Sequence, residues 1–171
     1  KEYSFSLGKL IETSCELFAE KTGCDVLKTA GDVYDFIRNR ISHLLAEEGA
    51  LKDVIAAVIS VSVDNVPNVW KRVRALGQLR KEPDFEPLAV AFKRVVNILK
   101  KADLSEVKGV VPDLFEEACE SRLYATCQKI DQIVSNRLEK GDIESALLDI
   151  ASMRSDVDAF FDGAMVMAED I

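Results

Sequence analysis

Basic side chains are concentrated in one stretch of this otherwise acidic sequence, between residues 71 and 101. The stretch holds nine lysines and arginines against three acidic residues, whereas the whole chain has a net charge of −8. The nine are Lys71, Arg72, Arg74, Arg80, Lys81, Lys93, Arg94, Lys100 and Lys101. A charge acts over roughly 10 Å in physiological salt, so a local basic patch can attract phosphate groups on an acidic protein. The stretch therefore permits nucleic-acid binding.

The polar residues of this stretch are spaced as helical stripes. Repeating every three or four residues, the stripes are Lys71, Arg74, Gln78 and Lys81, and then Lys93, Asn97 and Lys100. Such spacing places side chains on one face of a helix, and two consecutive helices can present one joint polar face. From the charge pattern alone, ordinary solvated helix faces are the simpler explanation.

No arrangement of residues predicts a catalytic or metal site. The single histidine, His43, accompanies no glycine-framed serine or cysteine, so a triad-type hydrolase is not indicated. No cysteines are spaced as clustered zinc ligands. The sequence lacks both G-x-x-x-x-G-K-[ST] and G-x-G-x-x-G, and hence a loop to cradle ATP or a dinucleotide. We therefore expect no catalytic residue, no metal and no cofactor in this chain.

Cysteine usage and hydropathy indicate a soluble protein of the reducing cytoplasm. Cys119 and Cys127 fall in a series that repeats like one buried helical stripe, from Phe115 to Leu138, which predicts core thiols. The longest apolar stretch, residues 54–63, is far shorter than the roughly 20 residues of a membrane span. The chain begins at Lys1 without a methionine, which suggests a piece of a longer polypeptide.

The elements that position these residues are predicted to be helices, because hydrophobic residues recur with a period near 3.6 throughout. The predicted helices cover about residues 5–21, 33–47, 51–60, 65–81, 86–101, 113–140 and 143–151, and an eighth follows Arg154. Loops this short between amphipathic helices imply antiparallel neighbours. We therefore expect an all-α fold, an antiparallel helical bundle of about seven to eight helices.

Residue types at the boundaries predict several helix caps. Asp32 is expected to cap the second helix, Asp64 or Asn65 the fourth, and Asp142 the seventh. Ser155 and Asp158 have the spacing of a capping box for the eighth. A short strand over residues 59–63 is the alternative to the end of the third helix, since this tail is rich in β-branched residues.

The predicted inward faces contain several large side chains. They include Leu10 and Phe18 in the first helix, Phe36 in the second, and Val96 and Leu99 in the fifth.

Three unusual sequence blocks point to a family. They are residues 32–49 (DVYDFIRNRISHLLAEEG), 72–100 (RVRALGQLRKEPDFEPLAVAFKRVVNILK) and 157–170 (VDAFFDGAMVMAED). Together with residues 142–151 (DIESALLDIA), they resemble the C-terminal region of bacterial-type glycyl-tRNA synthetase beta subunits, whose last domain is a helical anticodon-binding bundle of the DALR type. The resemblance covers residue 32 to the end and is weak over residues 1–30. It departs from the family at Ser155 and Asp156, where a proline pair commonly follows the arginine.

The resemblance implies an organisation and a role. Residues 1–30 would be a lead-in helix, and residues 31–171 the anticodon-binding bundle. The bundle would grip the anticodon end of glycine tRNA. Glycine activation and transfer, with ATP and magnesium, would belong to the separate alpha subunit of a cytoplasmic alpha/beta hetero-oligomer, so this chain alone is expected to be non-catalytic.

The resemblance and the basic stretch together suggest the residues that contact RNA. The candidates are Arg72, Arg74, Lys93, Arg94 and Asn97. Asn97 has two equal interpretations, contact with a base edge or satisfaction of a neighbouring backbone group. Phe160 and Phe161 are core residues by default, with stacking on a base as the alternative. The equivalent domain of arginyl- or cysteinyl-tRNA synthetase, and a helical protein-docking module, are the competing functions.

Overall fold

The structure, a computed structural model, describes residues 5–83, 85–101 and 109–164. Its helices are α1 (Leu7–Thr22), α2 (Val26–Glu47), α3 (Lys52–Val61), α4 (Val66–Leu79), α5 (Phe85–Leu99), a 3-10 turn (Pro112–Leu114), α6 (Ala118–Glu139), α7 (Ile143–Ala151) and α8 (Arg154–Gly163). The described residues contain no strand, which confirms the prediction of an all-α fold. None of the helices they contain is both long and apolar enough to traverse a bilayer.

Some sequence predictions fall outside the described residues. They concern part of the connection between the predicted fifth and sixth helices, residues 102–108, and the part of the third block from residue 165 to 170.

The chain divides into two compact units, Lys1–Gln78 and Leu79–Ile171. The first unit contains α1, α2, α3 and all of α4 except Leu79. The second contains the remaining helices. The predicted boundary between residues 30 and 31 falls inside α2.

In the first unit, α1 and α2 form a hairpin through residues 23–25. Gly23 ends α1 in the left-handed conformation, with φ of 66°, and its N–H donates to the Ala19 carbonyl. The Asp25 carboxylate then accepts a hydrogen bond from Lys28 N at 3.1 Å and caps α2. The prediction that Asp32 caps this helix was wrong, because Gly23 and Asp25 supply an earlier stop and start, and α2 runs unbroken through Asp32.

The core of the first unit is built from aliphatic side chains of all four helices. Its buried members are Leu7, Ile11, Cys15, Ile41, Leu45, Val54, Ile55, Val58, Val63, Val69 and Val73. Leu10, Phe18 and Phe36, predicted to face inward, are exposed. The buried positions of α1 follow a narrow i, i+4, i+8 stripe, so residues beside that stripe stay outside.

In the connection from α3 to α4, Asp64 and Asn65 were alternative predictions for the cap of α4, and the structure gives them different roles. The α3 helix continues to Val61, so the strand alternative over residues 59–63 is not adopted. Asn65 caps α4, with its Oδ1 accepting from Asn68 N at 3.2 Å. Asp64 instead supports the start of α1, whose N-cap is Ser6: Asp64 Oδ1 accepts from Gly8 N at 2.7 Å and from Ser6 Oγ at 2.9 Å. The α1 helix is thereby tied to a residue far along the chain.

In the second unit, the predicted long helix over residues 113–140 is interrupted. After the 3-10 turn, Phe115 to Glu117 are extended or irregular and α6 begins only at Ala118. Glu117 and Glu120 form a reciprocal capping box at that point, and the ring of Phe115 meets Tyr124 edge-on at 5.7 Å. The capping box satisfies the first N–H groups of α6 and so defines its start.

Fewer side chains of α5 and α6 are buried than the hydrophobic periodicity predicted. Ile130 is buried and Cys119 half-buried, whereas Cys127 is exposed, so the prediction of two core thiols was wrong for Cys127. Val96 and Leu99 of α5 are exposed as well. A helix in a unit of this size meets neighbours over only part of its circumference, which leaves the edges of a wide apolar stripe uncovered.

Of the two caps predicted for the last two helices, one is confirmed and the other is wrong. Asp142 caps α7 by accepting from Ser145 N at 3.2 Å, as predicted. Its hydrogen bonds with Ser145, and then the charge of Arg137, lower the pKa of Asp142. The Ser155 and Asp158 capping box is absent from the described helix, because α8 starts at Arg154 and Ser155 already lies within its first turn.

Candidate nucleic-acid interface

The α5 helix presents the polar candidates of the second unit on its solvent side. Leu88 and Ala91 are buried on the opposite side, while Lys93, Arg94 and Asn97 are exposed. Lys100, one turn beyond Asn97, is exposed as well, immediately after the helix ends. Lysine, arginine and asparagine thus form an accessible stripe that can meet phosphate oxygens and base edges.

The guanidinium group of Arg94 is stacked on an aromatic ring. Its Cζ lies 4.2 Å from the centroid of the Phe161 ring, contributed by α8. Phe160 meets Phe161 edge to face, with ring centroids 5.6 Å apart and an interplanar angle of 66°. The contact restrains the guanidinium group at the ring face, and Arg94 remains an exposed residue. The guanidinium group can therefore also contact a further planar group from the solvent side.

Phe161 also lines a partly open apolar cavity of about 280 Å³, formed by α5, α6 and α8 together with Met153. Its walls include Phe92, Val95, Leu123, Val157 and Phe160, and Phe161 belongs both to the wall and to the stack. Phe160 and Phe161 are half-buried, so neither is a fully enclosed core residue. The cavity offers no polar wall atoms, and base edges could not form hydrogen bonds inside it.

A buried carboxylate attaches α8 to α6. Asp156 is only 9% exposed; its Oδ2 accepts from Thr126 Oγ1 at 2.6 Å and its Oδ1 lies 2.6 Å from Arg122 Nε. This cluster holds the first turn of α8, and Phe160 and Phe161 follow one turn later. Cys127 is exposed as a residue, but partial desolvation of its thiol by neighbouring side chains, and then the negative charge of Asp156, raise the pKa of that thiol.

The sequence interpretation did not identify the cluster of Arg122, Thr126 and Asp156 as structurally important. One signal was present: Asp156 occupies part of the site where the resembled family commonly has a proline pair. An aspartate in that position must find partners once it is buried, and only the structure identifies them.

The α4 helix carries the candidates of the first unit. Arg74 is exposed and Arg72 half-buried, on either side of buried Val73. Because two residues on a helix are about 200° apart, Arg72 and Arg74 lie on different faces of α4. Trp70 anchors the beginning of this helix by donating from Nε1 to the Glu48 carboxylate, at 3.0 and 3.1 Å.

The structure therefore groups three of the five candidates. Lys93, Arg94 and Asn97 lie within two turns of α5 in the second unit, whereas Arg72 and Arg74 belong to α4 and diverge from each other. Within the described ranges, no three His, Cys, Asp or Glu side chains come together as metal ligands would.

Comparison with known proteins shows similarity to one kind of subunit. The chain is 41% identical over its full length to a glycine–tRNA ligase beta subunit of Desulfatibacillum aliphaticivorans, of which it covers 25%. It is 39% identical over 99% of its length to the subunit of that name from Trichlorobacter lovleyi, covering 24% of that protein. With the subunit of Geotalea daltonii, identity is 42% over 81% of this chain and 20% of the relative. No family model matches the chain. The chain thus spans about a quarter of the length of these relatives.

Proposed function

We propose that this chain is the anticodon-binding region of a glycine–tRNA ligase beta subunit and contributes to the recognition of glycine tRNA. The observation that carries the proposal is the similarity of the entire chain, at 41% identity, to a protein named as that subunit. An all-helical architecture and an exposed basic helix face accord with it. In this proposal, glycine activation with ATP and magnesium takes place on the alpha subunit, and the assembled enzyme is cytoplasmic.

The α5 helix supplies the main RNA contact in this proposal. Lys93 and Lys100 would hold phosphates, which fixes the position of the RNA without reading its sequence. Asn97 has one acceptor and two donor hydrogens, and can pair with a base edge. Arg94 would stack an unpaired base on the outer face of its guanidinium, opposite Phe161.

Arg94 supports recognition of unpaired nucleotides over duplex RNA. Anticodon bases are splayed out in a loop, and proteins read such bases by stacking on aromatic or guanidinium planes. A flat group held by an aromatic ring loses less rotational freedom on binding than a free arginine side chain would. Arg74 provides a separate phosphate contact on α4, while Arg72, half-buried and on another face, contributes a weaker one.

Two competing functions predict different ligands. An arginyl- or cysteinyl-tRNA synthetase domain would prefer the tRNA of its own amino acid, and a protein-docking module would show no preference among RNAs. The names of the similar proteins favour glycine over both. The isolated chain is expected neither to activate glycine nor to hydrolyse ATP.

The decisive measurement is binding of glycine tRNA and of the same tRNA with an exchanged anticodon, by the chain and by the complete synthetase. We expect the exchange to weaken binding by about tenfold or more, since a lost base contact costs about 1–3 kcal/mol. Arginine and cysteine tRNAs serve as the test of the related alternatives. Equal affinity for all four RNAs, in both the chain and the complete enzyme, would contradict the proposal.

A further inference from the structure

The first unit exposes large apolar side chains along one side of its α1–α2 hairpin. These residues, the hairpin face, are Leu10, Leu17, Val33 and Phe36. Their exposed fractions are 54%, 65%, 37% and 70%, respectively. A single exposed leucine needs no explanation, but a phenylalanine and three aliphatic residues on adjacent helices do.

Helix geometry places these residues on the same side of the hairpin. On α1, Leu10 directly precedes the buried Ile11; on α2, Phe36 directly precedes Ile37, which packs against the core. Successive residues of an α-helix lie about 100° apart around its axis. Leu10 and Phe36 are therefore turned by the same angle, in the same direction, away from the side chains that face inward. In an antiparallel pair, equal rotation leads to the same side of the pair.

The other side of the hairpin provides an independent check of this geometry. Gly8 and Glu12, each directly after an inward residue of α1, line a groove of about 350 Å³ together with Gly31 and Asp35 of α2. Residues that follow the inward positions thus meet on one side, and those that precede them must lie on the other. The hairpin face is consequently distinct from this groove, which carries two carboxylates.

We infer that the hairpin face docks against the part of the same beta-subunit polypeptide that precedes this chain. The inference rests on the proposed function only in taking the chain as a segment of that subunit. The matched segment is the C-terminal fifth to quarter of the relatives, so most of their length lies upstream. Phe5, two residues before α1 begins, is itself 46% exposed.

The chemistry of the face matches an apolar protein surface better than RNA. Its four side chains offer no cation for phosphate, and the basic stripe that could serve RNA lies on α5 instead. Removing the apolar surface of leucine, valine and phenylalanine side chains from water is favourable. An apolar surface of the preceding domains would supply that burial without a binding partner having to be captured from solution.

The test is thiol labelling of cysteine reporters in the 171-residue chain and in the full-length subunit. Leu17→Cys and Phe36→Cys report on the hairpin face; Glu12→Cys and Lys28→Cys are matched exposed controls on the same helices, on the groove side or away from the face. Modification at each site is followed by peptide mass spectrometry, and circular dichroism verifies that every variant is folded.

Protection confined to the reporters of the face is the expected result. In the full-length subunit, without alpha subunit or tRNA, labelling at residues 17 and 36 should slow by roughly tenfold relative to the chain alone, because enclosed thiols are inert. The controls should change far less. Unchanged labelling of both face reporters would overturn the inference. So would protection that appears only with added alpha subunit, only with tRNA, or in the isolated chain at high concentration.

The outcome separates this inference from the proposed function. If the face reporters are protected but the protein does not discriminate between anticodons, the interface is supported and the RNA-binding role is rejected. If the protein discriminates between anticodons but the reporters are not protected, the RNA-binding role is supported and the interface is rejected.

Discussion

Arg94 and Phe161 are joined by a stack in which the guanidinium carbon lies 4.2 Å from the ring centroid. The contact connects the exposed stripe of α5 with the second half of α8, and Phe161 simultaneously walls the apolar cavity behind it. Because the arginine is held by the ring yet remains exposed, charge and planar shape are presented together at one point of the surface. The contributions of the positive charge and of the planar shape of Arg94 to RNA binding can be tested separately.

Replacing Arg94 with lysine keeps the charge and removes the plane. Under the proposed function, Arg94→Lys should weaken binding of glycine tRNA by about 1–2 kcal/mol, since stacking of a base is worth about 1–3 kcal/mol. The dependence of affinity on salt should stay the same. Lys93→Arg is the matched control and should bind like the unmodified protein. Wild-type affinity of Arg94→Lys would show that no base stacks there.

Salt dependence tests the phosphate contacts. With the positive charges of Arg72, Arg74, Lys93 and Arg94 all close to RNA phosphates, including that of Arg94 while its guanidinium stacks on a base, log affinity should fall with log salt at a slope of about −3, from about −0.7 per charge on single-stranded RNA. Alanine at one of these positions should flatten the slope by about 0.7 for any RNA, and least at half-buried Arg72. If alanine at all four left affinity and slope unchanged in the complete synthetase, the stripes would be ordinary solvated faces.

Asp64 should stabilise the first unit beyond the ordinary contribution of a surface aspartate. Asp64→Ala removes the acceptor for Gly8 N and Ser6 Oγ at the start of α1. We expect the free energy of unfolding to fall by about 1–2 kcal/mol, because two hydrogen bonds are lost while Ser6 remains the N-cap of α1. Asp35→Ala is the control; its exposed pair with Arg38, at 3.3 Å, should contribute less than about 0.5 kcal/mol. Equal losses in urea titrations of the two variants would refute this role of Asp64.

Two glycine substitutions should change stability in opposite directions. A Cβ at Gly31, inside α2, would meet nothing within 4 Å, so Gly31→Ala should stabilise by about 0.5–1 kcal/mol. A Cβ at Gly163 would lie 2.9 Å from Cys119 Sγ, so Gly163→Ala should destabilise by about 1–2 kcal/mol. Cys119→Ala removes that sulfur and should relieve most of the cost in the double variant, because the Cβ of residue 119 lies at an ordinary contact distance of 3.7 Å. Thermal unfolding that shows a gain for both alanines would contradict the close approach of α6 and α8.

Alkylation of Cys127 should require a higher pH than that of an ordinary thiol. Partial desolvation, followed by the charge of Asp156, raises its pKa above the ordinary thiol value, and only the thiolate reacts. The labelling rate of the folded protein should therefore still be rising at a pH where that of the denatured protein has levelled off, and Asp156→Asn should shift the curve to lower pH. In strong denaturant the ordinary titration should return. An identical pH profile for folded and denatured protein would disprove the shift.

The same pKa shift predicts the sign of a stability effect. The folded-state pKa of Cys127 exceeds the unfolded-state pKa, so its contribution is fully present below the ordinary thiol pKa. It is lost as the pH rises through the folded-state value. Cys127→Ser should therefore lose stability less steeply than the unmodified protein in unfolding measurements above pH 9.

The sequence by itself determined the features that arise from near neighbours. The all-α class follows from a hydrophobic period that each helix expresses within its own few turns. The Asp142 cap involves a backbone N–H only three residues away, and the exposed stripe of Lys93 and Asn97 follows from spacing along one helix. These relations need no knowledge of what packs against the helix.

Only the tertiary structure decided which side chains meet across the chain. Periodicity marked Phe36 and Cys127 as inward, but their burial depends on how far a neighbouring helix extends over them, and it does not extend far enough. By local spacing, Asp64 and Asn65 are equally good candidates for the cap of α4. The choice depends on α1, because the N–H of Gly8, 56 residues away in sequence, donates to Asp64. Asp156 found its partners on α6, and Arg94 its ring on α8, because helix packing brings distant residues to distances that local spacing cannot specify.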